Sequence, residues 1–250
     1  MKTSPHRSLA RRFSLAAFLC GCLLLLVAVP RSSAEDFKTL AKEYKKAVEQ
    51  AGKLRREAKT DEDRQKADQQ YPNLEVYAGR FMALAGEDIK SKTAADCLAW
   101  VIVEATYSPQ VAKAVDLLLE HHVDSGKLEP VAQALAHSQE PNTEKLLRAI
   151  VTRNPDAGVV NQAVYSLAAF LLDHNPESAS SQAEAEKLLD RLAGGNSSLA
   201  GQAKGRLFEI RNLAIGKTAP EIEGKDIEGG KFKLSEFRGR VVVLDFWGDW

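Results

Sequence analysis

The chain has 250 residues, enough for one large or two modest domains, and 44% of them are hydrophobic, as in an ordinary globular protein. Its 34 basic and 34 acidic residues give a formal net charge of zero. Five of the basic residues lie within residues 1–34, which contain no acid, so the remainder holds 29 basic against 34 acidic residues. A mildly acidic body gives no reason to expect nucleic-acid binding.

The N-terminal stretch has the three parts of a secretory signal. Arg7, Arg11 and Arg12 precede an uncharged apolar run at residues 15–29, and small residues up to Ala34 offer a cleavage site before Glu35. The pattern predicts a signal peptide over residues 1–34 and a secreted or periplasmic protein. The apolar run is shorter than the about 20 residues that span a bilayer. The alternative is an uncleaved segment that anchors the protein to the membrane, and membrane attachment is expected only in that case.

Residues 35–213 have a pattern that is helical almost throughout. In residues 36–59 apolar side chains recur every three or four positions, and charged residues fill the opposite face. Residues 60–70 are highly polar, which fits a short exposed helix or a loop. Further helices are predicted over residues 74–85, 93–106, 109–122, 128–138, 141–153, 156–173, 180–192 and 198–213.

Short Pro, Gly and Asn breaks separate these nine or ten segments, which predicts antiparallel helix pairs stacked as a bundle or a short α-solenoid of the tetratricopeptide-like kind. The proline breaks at Pro109, Pro141, Pro155 and Pro176 are unevenly spaced, and no tetratricopeptide signature repeats cleanly. We therefore expect a solenoid-like domain over residues 35–213, in which the sequence does not by itself define a repeat of fixed length.

The cysteines and histidines of this region indicate structural roles. Cys20 and Cys22 lie in the N-terminal apolar stretch, so Cys97 alone would remain after processing and could form no internal disulfide. Its apolar helical surroundings favour a small core residue over a reactive thiol. His121 and His122 are adjacent on a predicted helix and do not converge on a metal. We expect no metal site and, without a glycine-rich phosphate loop, no bound cofactor.

The last stretch of the chain, residues 215–250, holds several separated motifs in order. Gly216, Ala219 and Pro220 form a G-x-x-A-P entry, Gly229-Gly230 marks a hairpin turn, and L-S-x-F-R-G follows. The stretch closes with V-V-V-L-D-F-W-x-x-W, in which residues 241–247 predict a strand buried on both faces. A buried carboxylate is unfavourable unless paired or protonated. Asp245 is therefore expected at a strand edge, satisfied by a partner, or functional.

These motifs resemble the secreted thioredoxin-like redoxins of the TlpA type. The resemblance covers residues 215–250 and implies a C-x-x-C motif at a helix N-terminus directly after Trp250, where the chain ends. It also implies that Asp245 exchanges protons with the second thiol and that Phe246, Trp247 and Trp250 flank the site. The alternatives are that Asp245 is a strand-end carboxylate with a hydrogen-bonding partner and that the tryptophans only fill the core. A partial sequence, a frameshift, or a UGA codon for selenocysteine would each explain the missing redox position.

The combined expectation is a mainly α protein whose helical domain is followed by the first strands of an incomplete thioredoxin-like α/β domain at residues 214–250. The resemblance implies an exported thiol–disulfide oxidoreductase acting on protein disulfides or with a membrane or periplasmic thiol-redox partner. A helical scaffold with a non-functional redoxin fragment and a peroxiredoxin-like antioxidant are the alternatives. The 250-residue chain itself carries no redox cysteine pair, so we expect no dithiol activity from it and poor packing of its C-terminus.

Overall fold

The computed structural model describes residues 36–248, which belong to one compact unit that extends over Glu35–Trp250. The described residues form ten α-helices: α1 (Phe37–Glu57), α2 (Asp61–Asp68), α3 (Leu74–Glu87), α4 (Lys92–Glu104), α5 (Gln110–His121), α6 (Glu129–Leu135), α7 (Thr143–Arg153), α8 (Ala157–His174), α9 (Ala179–Ala193) and α10 (Ala200–Phe208). A π-turn over Glu209–Leu213 extends α10. An antiparallel hairpin follows, made of β1 (Glu223–Lys225) and β2 (Lys231–Lys233), and then a 3₁₀ turn over Leu234–Phe237.

The mainly α expectation is confirmed, and the helices lie within a few residues of their predicted positions. Short polar side chains at the N-caps explain where many of them begin, because they accept hydrogen bonds from otherwise unpaired N–H groups. Asp36 caps α1, Asn73 caps α3 and Ser91 caps α4 in this way. The ambiguous residues 60–70 form α2, because Thr60 accepts from the N–H of Asp63 at 3.1 Å.

Counted two at a time in chain order, the ten described helices make five pairs that begin at a recurring interval, although α5 and α6 pack mainly on other helices. The first helices of the pairs begin at Phe37, Leu74, Gln110, Thr143 and Ala179, so successive starts lie 33 to 37 residues apart. Among the first helices, α1 contacts α3, α3 contacts α5, and α5 contacts α7. Among the second helices, α4 contacts α6, and α6 contacts α8. Over α1 to α8 this stacking is solenoid-like. The helix starts are therefore evenly spaced, although the loop prolines are not.

Aromatic side chains join the first two pairs. The Phe81 ring stacks on that of Trp100 with centroids 4.0 Å apart and contacts the ring of Phe37 at 5.7 Å. Tyr44 meets both Tyr77 and Trp100 edge-on, at 5.1 and 5.0 Å. The buried face of α1 is thus fixed against α3 and α4, and its orientation follows from packing as well as from periodicity.

Polar contacts between successive pairs repeat the same interval. Asn154 donates from Nδ2 to the carbonyl oxygens of Val123 and Ser125 at 2.6 and 2.9 Å. Lys127 pairs with Asp96 at 2.8 Å across neighbouring loops and helices. Since each contact spans about one pair of helices in sequence, these bonds hold neighbouring units in register, as expected for a nearest-neighbour architecture.

Candidate functional site

The β1–β2 hairpin and the 3₁₀ turn after it are the regular elements of the described C-terminal region. Gly229 has φ +88°, a left-handed conformation that favours glycine, and its N–H donates to the carbonyl of Asp226 at 3.0 Å. The Asp226 carboxylate accepts from the N–H groups of Glu228 and Gly230 at 2.9 and 2.7 Å. The Gly229-Gly230 hairpin predicted from sequence is confirmed, and the aspartate that stabilises the turn was not predicted.

Cross-strand contacts fix the register of this hairpin. Glu223 lies opposite Lys233, and the two side chains form an ion pair at 2.6 Å. Gly224 lies opposite Phe232, whose ring covers it so closely that a Cβ on Gly224 would come within 2.8 Å of the Phe232 Cζ. A larger residue at position 224 would therefore require the Phe232 ring to shift.

Glu221 connects the hairpin to the turn that follows it. Its Oε1 accepts from the backbone N–H of Ser235 at 3.0 Å and from that of Ile222 at 3.2 Å. The hydrogen bonds from Ser235 hold the pKa of this carboxyl below its usual value. The N–H of Leu234 also donates to the Ile222 carbonyl at 2.9 Å. The L-S-x-F-R-G motif is thereby anchored to the residues before β1.

Residues 241–247 do not form the strand that was predicted for them, so that prediction was wrong. The segment has no regular secondary structure, and its apolar side chains are exposed, with Val241 at 96% and Phe246 at 82%. A strand buried on both faces needs neighbouring strands and covering helices. Within residues 36–248 the only ladder joins β1 to β2, so no described segment pairs with this one. The expectation of a poorly packed C-terminus agrees with the exposure observed.

The predicted site residues are not assembled by the described structure. Asp245 lies in this exposed segment beside Phe246 and Trp247, and Trp247 is 84% exposed. Trp250 lies outside the described residues. Among residues 36–248 no hydrogen bond or ion pair is found for Asp245, so neither a satisfied strand-end role nor a proton-transfer role is visible. Both remain predictions that depend on the environment of this segment in a folded redoxin domain.

Cys97 lies in α4 with 0% of its surface exposed. Burial and the nearby Asp96 carboxylate raise the pKa of the Cys97 thiol to about 12. The nucleophilic species in disulfide exchange is the thiolate, which is scarce at neutral pH for such a group. The thiol is therefore a core residue, as the sequence favoured.

The histidines also have structural surroundings. His122 is buried and donates from Nε2 to the carbonyl of Ile89 at 2.6 Å. The rings of His121 and His122 lie 6.3 Å apart and tilted at 74°, so they do not converge. Within the described part of the chain no group of three or more potential ligands is placed to hold a metal ion. None of its helices is long and apolar enough to cross a membrane.

The fold and motifs together define a class: stacked helix pairs followed by a segment with thioredoxin-like redoxin motifs. Comparison with known proteins agrees with the second part. The chain is 45% identical over 38 residues to the thiol-disulfide oxidoreductase ResA of Geobacillus thermodenitrificans, covering 15% of this chain and 22% of that protein. It is 40% identical over 47 residues to ResA of Bacillus thuringiensis subsp. konkukian, covering 19% and 27%.

This similarity is short. The chain spans about a quarter of the length of the curated relatives it matches. No family model and no solved structure matches the chain. The local similarity indicates a thioredoxin-like redoxin segment.

Proposed function

We propose that this chain belongs to an exported thiol–disulfide oxidoreductase of the thioredoxin type, with a helical-repeat domain at residues 35–213 and the beginning of a redoxin domain at residues 214–250. One observation carries the proposal: the ordered redoxin motifs of residues 215–250, ending in D-F-W-x-x-W, coincide with local similarity to proteins named ResA. We assign the similar stretch to this C-terminal region because the redoxin motifs lie there.

The chemistry would be a two-electron exchange. A cysteine thiolate that follows Trp250 attacks one sulfur of a substrate disulfide, so that the substrate S–S bond breaks and a mixed disulfide forms. A second cysteine, deprotonated with the help of the Asp245 carboxylate, attacks the enzyme sulfur of that mixed disulfide and releases the second substrate thiolate, which takes up a proton. The dithiol is oxidised to a disulfide, and the substrate disulfide is reduced to two thiols.

Export is proposed from the sequence of residues 1–34, whose basic, apolar and small-residue parts follow the order of a signal peptide. An exported location fits disulfide chemistry, because disulfides persist in oxidising compartments. The partners would be protein disulfides or a membrane or periplasmic thiol-redox protein.

A second candidate function rests on the helix pairs, whose starts recur every 33 to 37 residues. Stacked helical repeats form extended surfaces that commonly bind other proteins. In this alternative the protein is an interaction scaffold, and its redoxin segment has no redox role.

One experiment separates the two candidates: sequencing the gene through the codons that follow Trp250, then expressing the complete reading frame. A Cys-x-x-Cys pair, or an in-frame UGA followed by x-x-Cys, together with insulin reduction by the product would support the oxidoreductase. Substitution of the first cysteine by serine would abolish that activity. A reading frame without redox residues after Trp250, and a product inactive toward insulin, would refute the oxidoreductase and favour the scaffold.

A further inference from the structure

Helix α1 carries a line of basic side chains that the redox proposal does not use. Its basic stripe consists of Lys38, Lys42, Lys45, Lys46, Lys53 and Arg56, all of them exposed. At 3.6 residues per turn these positions fall within an arc of roughly 100°, and they extend over about 27 Å of helix. The one acidic residue within that arc is Glu49.

The rest of the helix fixes the direction in which this stripe faces. Leu40 and Ala51 are buried on the opposite side, and Tyr44 packs there against Tyr77 and Trp100. Glu43, at the flank of the stripe, accepts two hydrogen bonds from Arg80 of α3. Because α1 is held to α3 by these contacts, the basic stripe points away from the core and toward solvent.

Few acidic groups neutralise the stripe. Lys45 and Lys53 make loose intrahelical pairs with Glu49 and Glu57, at 3.8 and 3.9 Å between nitrogen and oxygen. No ion pair is found for Lys42 or Lys46 among residues 36–248. Such exposed i,i+4 pairs are weak and screened by salt, so they leave the positive potential of the stripe largely intact.

The charge of the chain is divided unevenly between α1 and the residues after it. Helix α1 holds seven basic and three acidic residues, whereas residues 58–250 hold 22 basic and 29 acidic residues. An anionic surface would attract α1 and repel most of the remaining molecule. The protein would therefore approach such a surface in one orientation, with α1 lying along it.

We propose that the basic stripe of α1 is a docking face for a membrane surface rich in anionic phospholipid. A flat anionic surface matches a straight exposed row of lysines, and clusters of four to eight basic residues on a helix are a typical feature for such binding. The apolar run at residues 15–29 ends seven residues before α1 begins. Whenever that run is in a bilayer, α1 starts within about 28 Å of it, by the reach of an extended chain.

The test uses residues 35–250, the compact unit that contains the continuous helical core, so that the N-terminal apolar run cannot itself bind lipid. Co-sedimentation would compare vesicles of phosphatidylglycerol with phosphatidylcholine against vesicles of phosphatidylcholine alone. We expect binding to the anionic vesicles only, and its loss when salt is raised, because screening shortens the range of attraction.

A triple variant, Lys38→Gln with Lys42→Gln and Lys46→Gln, should weaken binding to the anionic vesicles roughly 100-fold. The matched control replaces three exposed lysines on other helices and loops, Lys90→Gln with Lys113→Gln and Lys145→Gln, and changes the net charge equally. This control should bind as the parent does. Circular dichroism would verify that both variants keep their helices.

Three outcomes would overturn the proposal. Equal weakening by the two triple variants would mean that net charge, and not the α1 stripe, determines binding. The absence of vesicle binding by the parent would exclude a lipid surface. Binding to polyglutamate or duplex DNA through Lys38, Lys42 and Lys46, without binding to vesicles, would show that the stripe serves an acidic macromolecule instead. None of these outcomes depends on the redox activity proposed above.

Discussion

Glu43 of α1 and Arg80 of α3 form a two-point ion pair, in which Nη1 donates to Oε1 at 2.7 Å and Nη2 donates to Oε2 at 2.9 Å. The hydroxyl of Tyr77 donates to the same carboxylate at 2.8 Å, and the Arg80 guanidinium lies 5.0 Å from the centre of the Tyr77 ring. A parallel guanidinium–carboxylate geometry is the strong form of this interaction. It joins the first helices of two successive pairs.

The Glu43 pair predicts a specific dependence of stability on pH. The hydrogen bonds from Arg80 and then Tyr77 lower the pKa of Glu43 to about 2. Stability from this pair is complete above the ordinary glutamate pKa and is lost as pH falls toward 2, because the unfolded chain takes up the proton first. Glu43 is 48% exposed, so screening limits the contribution to roughly 1 kcal/mol.

Glu43→Gln should therefore flatten the decrease in unfolding free energy between about pH 4.5 and pH 2, measured by urea unfolding. Glu49→Gln is the matched control, since Glu49 makes only a loose pair with Lys45 at 3.8 Å. If Glu43→Gln and the parent lost stability equally over this pH range, the proposed role of the pair would be wrong.

The aromatic contact between Phe81 and Trp100 predicts a large loss of stability on truncation. Phe81 is fully buried, so Phe81→Ala leaves a cavity and should reduce the free energy of unfolding by about 3–5 kcal/mol. Val76→Ala on the same helix, where the side chain is 57% exposed, should change it by less than about 0.5 kcal/mol. Equal effects in chemical denaturation would contradict the assigned core.

Cys97 should be unreactive in the folded protein. Its thiol is buried and its pKa is raised to about 12, so an aromatic disulfide reagent should react with it only after unfolding. Cys97→Ser buries a hydroxyl among apolar groups and should lower the free energy of unfolding by about 1–3 kcal/mol. The Cys97→Ala control adds no polar group and should lower it less. Rapid native-state labelling would show that α4 opens readily or that the thiol has another role.

Much of the helical region could be predicted from sequence, because each helix there has a local cause. Asp36, Asn73 and Ser91 stand where caps are needed, and the apolar spacing of α1 matches its buried side. The recurring length of the helix pairs was not predicted, because it is evident in the distances between helix starts and not in the positions of the prolines. Capping side chains mark the starts of α1, α3 and α9, whereas no side chain caps α5 or α7.

The redoxin segment was predictable only as far as its local contacts extend. The hairpin was found because Gly229 supplies a left-handed turn residue and the strands pair within ten residues of one another. The strand at residues 241–247 was predicted from its apolar composition. Such a composition favours a strand only where neighbouring strands and helices bury it, and the segment has no such neighbours within residues 36–248. The basic stripe on α1 was part of a face predicted only to be solvated, since its direction depends on the packing of α1.

The hairpin turn gives a prediction that separates backbone conformation from side-chain chemistry. Gly229 has φ +88°, so Gly229→Ala should destabilise the hairpin by about 1 kcal/mol, whereas Gly229→Asn should cost less because asparagine tolerates the left-handed region. Amide hydrogen exchange of residues 223–233 would measure the effect. Similar exchange rates for the two variants would mean that the turn conformation does not limit hairpin stability.

The exposed apolar segment at residues 241–247 should make the 250-residue chain self-associate. Unpaired extended segments with β-branched residues readily pair between molecules. Val243 is 87% exposed, so Val243→Lys removes no packing and places a charge in the middle of the segment. We expect this variant to stay monomeric at concentrations where the parent scatters light, as measured by analytical ultracentrifugation and static light scattering. Val76→Lys, at a 57% exposed position on α3, adds the same charge and should leave association unchanged. If both variants reduced association equally, net charge would explain the result, and the segment would lose its assigned part in self-association.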